Sequence, residues 1–382
     1  MTASVRLLAG TAVLVGAHAL LAQLCVRVAV RRAMRAASGV PPDRRAVMRA
    51  LYPEAVAGAV CWVLCVALFA RSGEGELPGA GPVLVLSVAT AALLVSIFLP
   101  FAQLEVRRSG ERLRGKRAIA VLARTAALQV IGYGIGISVF TAAVVLAARL
   151  EAAPAWLRAA MGGAGMIAGL AIVYGVYPLL VRVLYRARPL DDAGLADALA
   201  RLGEASGVRL GRLYRVPAPW GAANAMVSGI LPGVRWVFVT DALLNQAPAD
   251  EVAAIVAHEL AHLEHRHLSR NFWRTAAGVV ISGVGLFGVR TLLTSLGLGG
   301  GPVTLVIAVM AAWVVLALVW SLPSTRRHEV EADRTAARWV GAELYARALT
   351  RLHDLNGVAS DPGRVERLMS THPGLSERLR KL

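Results

Sequence analysis

The sequence contains few charged residues, few aromatic residues and only three cysteines. Charged residues make up 17% and aromatic residues 6% of its 382 positions, whereas 57% are apolar and the mean hydropathy is +0.59. This composition excludes an ordinary soluble domain, whose apolar share is nearer half, and it excludes an intrinsically disordered chain. The 37 glycines and 17 prolines have no period of three, which excludes a collagen. A membrane protein remains.

Cysteine and lysine are both rare. Cys25, Cys61 and Cys65 all lie in apolar stretches, which excludes a disulfide framework and a thiolate metal site. Lys116 and Lys381 are the only lysines among 41 basic residues, and the heavy use of alanine and arginine indicates a bacterial genome rich in G and C.

Long apolar runs are abundant. A membrane-crossing helix needs about 20 apolar residues at a rise of about 1.5 Å each. Seven stretches meet or approach this length, and they predict seven spans: Leu7–Val26, Ala55–Ala70, Leu77–Leu104, Thr125–Ala148, Ala159–Val181, Thr275–Leu298 and Pro302–Leu322. We interpret the first as a retained anchor because arginines follow it instead of a cleavage site.

Basic residues alternate between the connections. Residues 27–53 contain seven Arg or Lys and residues 105–118 contain six, against one in residues 71–81 and two in residues 149–158. The positive-inside rule then places the N-terminus outside and the chain after Arg182 in the cytoplasm, in a bacterial inner membrane. Because topology accounts for most of the net charge of +17, we expect the lipid bilayer and no nucleic acid as a partner.

These patterns predict a mostly α fold, a polytopic membrane helical bundle of about seven spans with a small cytoplasmic α+β zincin domain. The predicted regions are a five-span part (1–188), the cytoplasmic domain (189–270), a membrane hairpin (271–324) and a cytoplasmic helical part (325–382). Glycines inside the fourth and fifth spans, such as Gly136 and Gly169, favour close helix packing.

The cytoplasmic regions show short periodic segments. Predicted helices are Asp191–Ser206, a helix from Pro248 through His267, Arg326–Val340, Ala342–Leu355 and Arg364–Met369. Predicted strands are Arg212–Val216, Asn224–Ile230 and Arg235–Thr240, with the last two joined in a hairpin. Asp191 or Asp192 is placed to cap the first helix.

One segment carries a metal-binding pattern. His258 and His262 stand four residues apart on a predicted helix, so both imidazoles can reach one Zn²⁺, and Glu259 stands beside them as a general base. This is the H-E-x-x-H arrangement of zincins. Two histidines that are merely helix residues are the alternative, but that alternative gives no reason for the intervening carboxylate.

A catalytic zinc needs a third protein ligand. Glu329 and Asp333 lie one turn apart on a predicted helix, so Glu329 is expected to bind the metal and Asp333 to hold a ligand imidazole, while Glu331 points elsewhere. The rival interpretation of this charge run is a solvated helix. His265 is the nearest other candidate ligand, but we expect it and His267 to be solvated helix residues.

The chain resembles the integral-membrane zinc metalloproteases of the CAAX prenyl protease type I family and, more distantly, the bacterial heat-shock membrane metalloproteases. The resemblance covers residues 188–382 and the order of five spans before the zincin helix and two after it. Its motifs are Ala223–Ala225, Thr240–Leu244 with Pro248 and Asp250–Val252, the trio Glu329, Ala332 and Asp333, and Ser370–Pro373 with Arg378. Five leading spans favour the prenyl-protease-like branch.

The resemblance implies further roles. His372 would assist at the oxyanion, and Asn224 and Arg378 would contact a substrate added as a strand at the sheet edge. A packing role for His372 and a polar strand start for Asn224 are the alternatives. The expected function is a zinc metalloendopeptidase with one Zn²⁺ per chain, acting on peptide or membrane-protein substrates.

Three alternatives accompany this expectation. One is a quality-control protease of the heat-shock type. Another is a signalling metalloprotease of the antibiotic-sensor type, against which the short sequence after Arg378 argues. The last is a transporter or scaffold with an incidental motif, which the complete set of ligands, base and supporting carboxylate disfavours.

Overall fold

Eight helices and one small sheet make up the part of the chain that is described in this computed structural model. It describes residues 152–207, 212–217, 223–229, 236–295, 325–356 and 372–382, with scattered positions between 120 and 150. The helices are α1 (Ala155–Leu184), α2 (Ala193–Ser206), α3 (Asp241–Gln246), α4 (Ala249–Glu264), α5 (His267–Ser295), α6 (residues 325–340), α7 (Ala342–Leu355) and α8 (Leu375–Leu379). The strands are β1 (Arg188–Pro189), β2 (Arg212–Val216), β3 (Ala225–Ser228) and β4 (Trp236–Thr240).

The sheet has the order β1-β2-β4-β3. Strand β4 pairs in parallel with β2. It pairs antiparallel with β3, as the predicted hairpin requires. Strand β1, which the sequence did not reveal, pairs antiparallel with β2 through only two residues. Strand β3 therefore forms an edge, and no described strand pairs with its outer side.

The two faces of the sheet are covered differently because side chains alternate along a strand. Val237 and Val239 of β4 face a core formed with α2, α4 and α7. Trp236 and Phe238 face the C-terminal end of α1 instead. The guanidinium of Arg182, in the last turn of α1, lies 5.6 Å from the Trp236 ring, so this end of α1 is fixed against the sheet.

Local signals in the sequence set the helix ends. Asp192 accepts a hydrogen bond from the Leu195 amide at 3.1 Å and caps α2, which ends at Gly207 with a left-handed φ of 63°. Gly341 takes a φ of 89° between α6 and α7 and separates them as predicted.

The zincin helix ends earlier than expected. Instead of running through His267, α4 ends at Glu264, and Arg266 adopts a left-handed φ of 54° before α5 begins. The periodic pattern continues through this point because both helices are apolar on one side, so the break left no clear signal in the sequence.

The predicted fifth span, Ala159–Val181, lies within α1. In the described residues, Trp156–Leu184 is the one helix long and apolar enough to cross a membrane. The predicted sixth span, Thr275–Leu298, is helical as far as Ser295 in α5. Some predicted segments lie outside the described residues. They are the first three spans, most of the fourth, the seventh, the turn between β3 and β4, and the helix Arg364–Met369.

Small residues let α1 approach the preceding helical segment, which confirms the packing expected of the span glycines. A methyl group added at Gly169 would lie 2.4 Å from the carbonyl oxygen of Gly136, and one added at Gly165 would lie 2.1 Å from the Ala143 Cβ. Neither distance leaves room for a side chain, so the two backbones must remain in contact.

Gly169→Ala should therefore lower the unfolding temperature in detergent by several degrees, because the methyl group forces two backbones apart. The matched variant is Gly175→Ala in the same helix, where an added methyl group meets nothing within 4 Å. It should be neutral or stabilising, since alanine is the better helix former. Equal unfolding temperatures for the two variants, measured by tryptophan fluorescence, would contradict the close contact.

Candidate metal centre

Helix α4 supplies the two histidines from within the core. Val256, Ala257 and Leu260 are fully buried and fix the helix against the sheet and α7. His258 and His262 project from the same side one turn apart, with their Nε2 atoms 3.2 Å from each other. Two ring nitrogens at this distance, both inside the protein, face a common point.

Helix α6 brings Glu329 to that point. Its carboxylate oxygens lie 3.5 Å from the His258 Nε2 and 3.6 Å from the His262 Nε2. Among the described residues, these three form the one group of His, Cys, Asp and Glu side chains whose donor atoms all lie within 4.8 Å of one another. Ligands in a tetrahedral zinc site stand about 3.4 Å apart for bonds of about 2.1 Å, so the donor set and its spacing fit Zn²⁺.

Asp333 holds the far side of His258. The imidazole Nδ1 lies 3.0 Å from the Asp333 Oδ1, which leaves Nε2 directed at the other donors. Tyr345, on α7 and fully buried, donates its hydroxyl to the same carboxylate at 2.5 Å and lies 3.0 Å from the same Nδ1. Nothing in the sequence pointed to Tyr345, because a single tyrosine on an amphipathic helix is ordinarily a packing residue.

Arg378 supports Asp333 in this structure. Its side chain is buried, and its guanidinium donates two hydrogen bonds to Asp333 from Nε and Nη2, at 2.8 and 2.5 Å. This contact holds the Asp333 carboxylate, and the substrate contact that the family resemblance implied for Arg378 stays a prediction.

His262 is supported by residues that were expected to be solvated or to point away. His267 is 1% exposed, and its Nδ1 lies 2.8 Å from the His262 Nδ1. Its Nε2 lies 2.9 Å from Glu331, so Glu331 does contribute to the site. His265 also differs from expectation, since its Nε2 lies 2.9 Å from the Thr335 hydroxyl. The early end of α4 explains these differences, because it turns His267 back toward His262.

Glu259 is tied to the sheet edge. The backbone N–H of Val227 in β3 donates a hydrogen bond to its carboxylate at 2.9 Å. Burial raises the pKa of Glu259, while the nearby His258 and this backbone hydrogen bond oppose the rise. A carboxylate whose pKa is raised toward neutral is suited to accept and return a proton.

His372 contacts the donor set, and Asn224 stands at the start of the edge strand. His372, which precedes α8, has its Nδ1 2.6 Å from Glu329, although the side chain is 60% exposed. Asn224 is exposed immediately before the edge strand, and its backbone N–H donates to the Thr240 hydroxyl at 2.9 Å.

The electrostatic potential of the donor set favours a cation. Burial alone would lower the pKa of His258, but hydrogen bonds to Asp333 and Glu329 outweigh it and raise the pKa to about 9. Burial likewise would raise the pKa of Glu329, yet hydrogen bonds to His258 and His372 hold it well below its usual range. Both carboxylates thus remain ionised, and a metal cation would satisfy the same charges.

Comparison with known proteins agrees with this geometry. Residues 189–382 match peptidase family M48. The chain is 31% identical to a protease HtpX homolog from Syntrophobacter fumaroxidans over 274 residues, which are 62% of this chain and 96% of the relative. It is 30% identical to another from Nostoc punctiforme over 240 residues, which are 58% of this chain and 81% of that relative. The crystal structure of S. mikatae Ste24p matches with a TM-score of 0.64 at 15% identity, covering 100% of this chain and 99% of that one.

A buried helix that carries two histidines and a base, with a glutamate added from a second helix, is the site of a zincin-type metallopeptidase. The extent of the match completes the assignment: the chain belongs to peptidase family M48. It is a protease, and its fold is that of Ste24p.

Asp333→Asn should weaken zinc binding about 10- to 100-fold, because the imidazole of His258 loses the carboxylate that orients it. Competition with a coloured chelator measures the affinity. The control is Asp354→Asn on α7, an acidic residue outside the donor set. Unchanged affinity in Asp333→Asn would show that orientation of His258 does not depend on this carboxylate.

Proposed function

We propose that this protease is a membrane-embedded zinc endopeptidase that hydrolyses peptide bonds of membrane-associated proteins. One Zn²⁺ per chain would be held by His258, His262 and Glu329. The observation that carries this proposal is the convergence of three donor atoms from α4 and α6 beside Glu259, within a chain of family M48. The alternative of an incidental motif does not explain why Asp333 and His267 stand behind the two imidazoles.

The bound metal would polarise the scissile carbonyl and lower the pKa of a water toward about 7. Glu259 takes the proton from the attacking water and passes it to the leaving amine, for which its raised pKa is suited. His372 lies at the exposed rim of the site and would donate a hydrogen bond to the developing oxyanion. Its contact with Glu329 holds the ring beside the donor set.

The substrate would bind as an added strand along β3. The Thr240 amide donates to the Asn224 carbonyl at 2.9 Å, and the β3–β4 register then leaves the backbone groups of Ala225 and Val227 directed away from β4. Backbone pairing recognises an extended peptide with little sequence choice. Since Val227 also holds Glu259, the same strand would align the peptide with the base.

The lipid bilayer would cover α1 and the start of α5. Large apolar side chains on these helices face outward, including Trp156 at 64%, Val183 at 70% and Trp273 at 66% exposure. We further propose the topology given by the arginine distribution: seven spans, N-terminus outside, and the regions 189–270 and 325–382 in the cytoplasm. Nucleic acid has no place in this proposal.

The substrate class depends on which of the two branches the chain belongs to, and there are observations in favour of each. The relatives by sequence are protease HtpX homologues, which supports a quality-control protease of the heat-shock type. The chain shares its fold with Ste24p, at a TM-score of 0.64, which supports the prenyl-protease-like branch. Misfolded or prenylated membrane proteins are accordingly the substrate classes to test, and an antibiotic-sensor role has no comparable support.

Glu259→Gln should retain zinc and lose peptidase activity by about 10²- to 10⁴-fold, because the amide cannot accept the proton of the water. Metal content is measured by elemental analysis and cleavage by a fluorogenic peptide in detergent. The matched control is Glu264→Gln on the same helix, whose side chain is exposed. Activity equal to that of the parent would remove Glu259 from the mechanism.

Peptide substrates methylated on single backbone amides test the added strand. Methylation at alternate residues should raise KM by about five- to tenfold, because each removes one hydrogen bond to Ala225 or Val227, and the intervening positions should change little. The order of strong and weak positions identifies the register. Equal effects at every position would exclude strand pairing with β3.

A further inference from the structure

The imidazole of His267 lies directly behind the metal-facing histidine His262. We propose that His267 is a positioning residue that orients His262 through a hydrogen-bond chain ending at Glu331, an inference that rests on the zinc site proposed above. The two ring Nδ1 atoms are 2.8 Å apart, and the His267 Nε2 is 2.9 Å from the Glu331 carboxylate. His267 is 1% exposed, so its ring is shielded from water, whereas the Glu331 side chain at the end of the hydrogen-bond chain is 41% exposed.

The direction of each hydrogen bond follows from the metal-facing nitrogen. If the Nε2 of His262 uses its lone pair as a ligand, its Nδ1 carries the hydrogen and must donate. His267 then accepts through Nδ1, carries its hydrogen on Nε2 and donates to Glu331. Each atom along the chain has one complementary partner, and a single tautomer of each ring satisfies all of them.

The two metal-facing histidines are thus oriented by different means. His258 meets the carboxylate of Asp333 directly at 3.0 Å, whereas His262 meets Glu331 only through an intervening ring. Glu331 in turn lies 3.4 Å from the His265 Nδ1 and 3.9 Å from Arg270. One short segment of α6, residues 329–333, therefore supplies a ligand and both supporting carboxylates.

The backbone between α4 and α5 is shaped for this contact. In a continuous helix, residues 262 and 267 would be separated by about 140° and would not face each other. The left-handed φ of 54° at Arg266 interrupts the helix and brings His267 beside His262. A non-glycine residue in this region is uncommon and costs energy, so the surrounding contacts must hold it there.

Packing is the simpler explanation for a buried ring that stacks on a neighbouring ring. His267 stacks on His328 with ring centroids 4.1 Å apart. Two substitutions separate the roles. His267→Phe keeps a ring for stacking but has no acceptor, whereas His267→Asn loses the ring and keeps an acceptor oxygen close to the position of Nδ1.

We expect His267→Phe to weaken zinc binding about 10- to 100-fold and His267→Asn to weaken it by less than about tenfold. The full-length protein in detergent is stripped of metal and titrated with Zn²⁺ against a chelator. The visible absorption spectrum of the Co²⁺-loaded protein, which reports ligand geometry, should change in His267→Phe and remain close to the parent in His267→Asn. The control is His353→Phe, because His353 bonds only the Leu349 carbonyl of its own helix among the described residues.

A purely structural His267 predicts the opposite order, with His267→Asn the weaker zinc binder of the two. Three results would overturn the proposal: this opposite order, an equal loss of zinc affinity in both variants, and parental zinc affinity in His267→Phe. Unfolding temperatures of the metal-stripped variants show whether each chain is folded. Because affinity and spectrum are measured without a substrate, failure here is distinguishable from failure of the peptidase mechanism, which is tested by the activity of Glu259→Gln.

Discussion

Buried negative charge is the constraint on which the site depends. Glu329 and Asp333 are 4% and 1% exposed, and an unpaired carboxylate in such a position costs several kcal/mol. Each is therefore surrounded by cations or hydrogen-bond donors: His372 beside Glu329, and Arg378 and Tyr345 beside Asp333. These partners come from α7, α8 and the residue segment before α8, so the C-terminal helices are held to α4 and α6 by the same charges that favour a metal.

The sequence was sufficient for the donor set and for most of the helices and strands that the structure describes. His258, Glu259, His262 and Glu329 follow from helical spacing, and the close glycine contact follows from small residues in apolar spans. The supporting residues did not follow, because each depends on how separate segments meet in space. Tyr345 is one tyrosine on an amphipathic helix. His267 would lie on the wrong side of a continuous helix and reaches His262 only because Arg266 interrupts that helix. Glu331 lies on a different face of α6 from Glu329 and Asp333 and reaches the site through His267.

The family likeness predicted the site more reliably than it predicted the role of each residue. It led to Arg378, whose buried guanidinium donates to Asp333 from Nε and Nη2. It led to His372 and Asn224, which do lie at the rim of the donor set and at the sheet edge. Protease HtpX homologues resemble the chain in sequence and Ste24p resembles it in fold, so similarity alone does not choose a substrate.

Because the backbone N–H of Val227 donates to Glu259, the outer edge of β3 lies beside that carboxylate. Outward-facing amides recur along a strand only at every second residue. A peptide docked there could shift by one residue only by turning over about its own axis, because an extended strand repeats its backbone groups through a half-turn. Each such shift exchanges the side chains on its two faces, so the register of the peptide would decide which of its side chains meet the site.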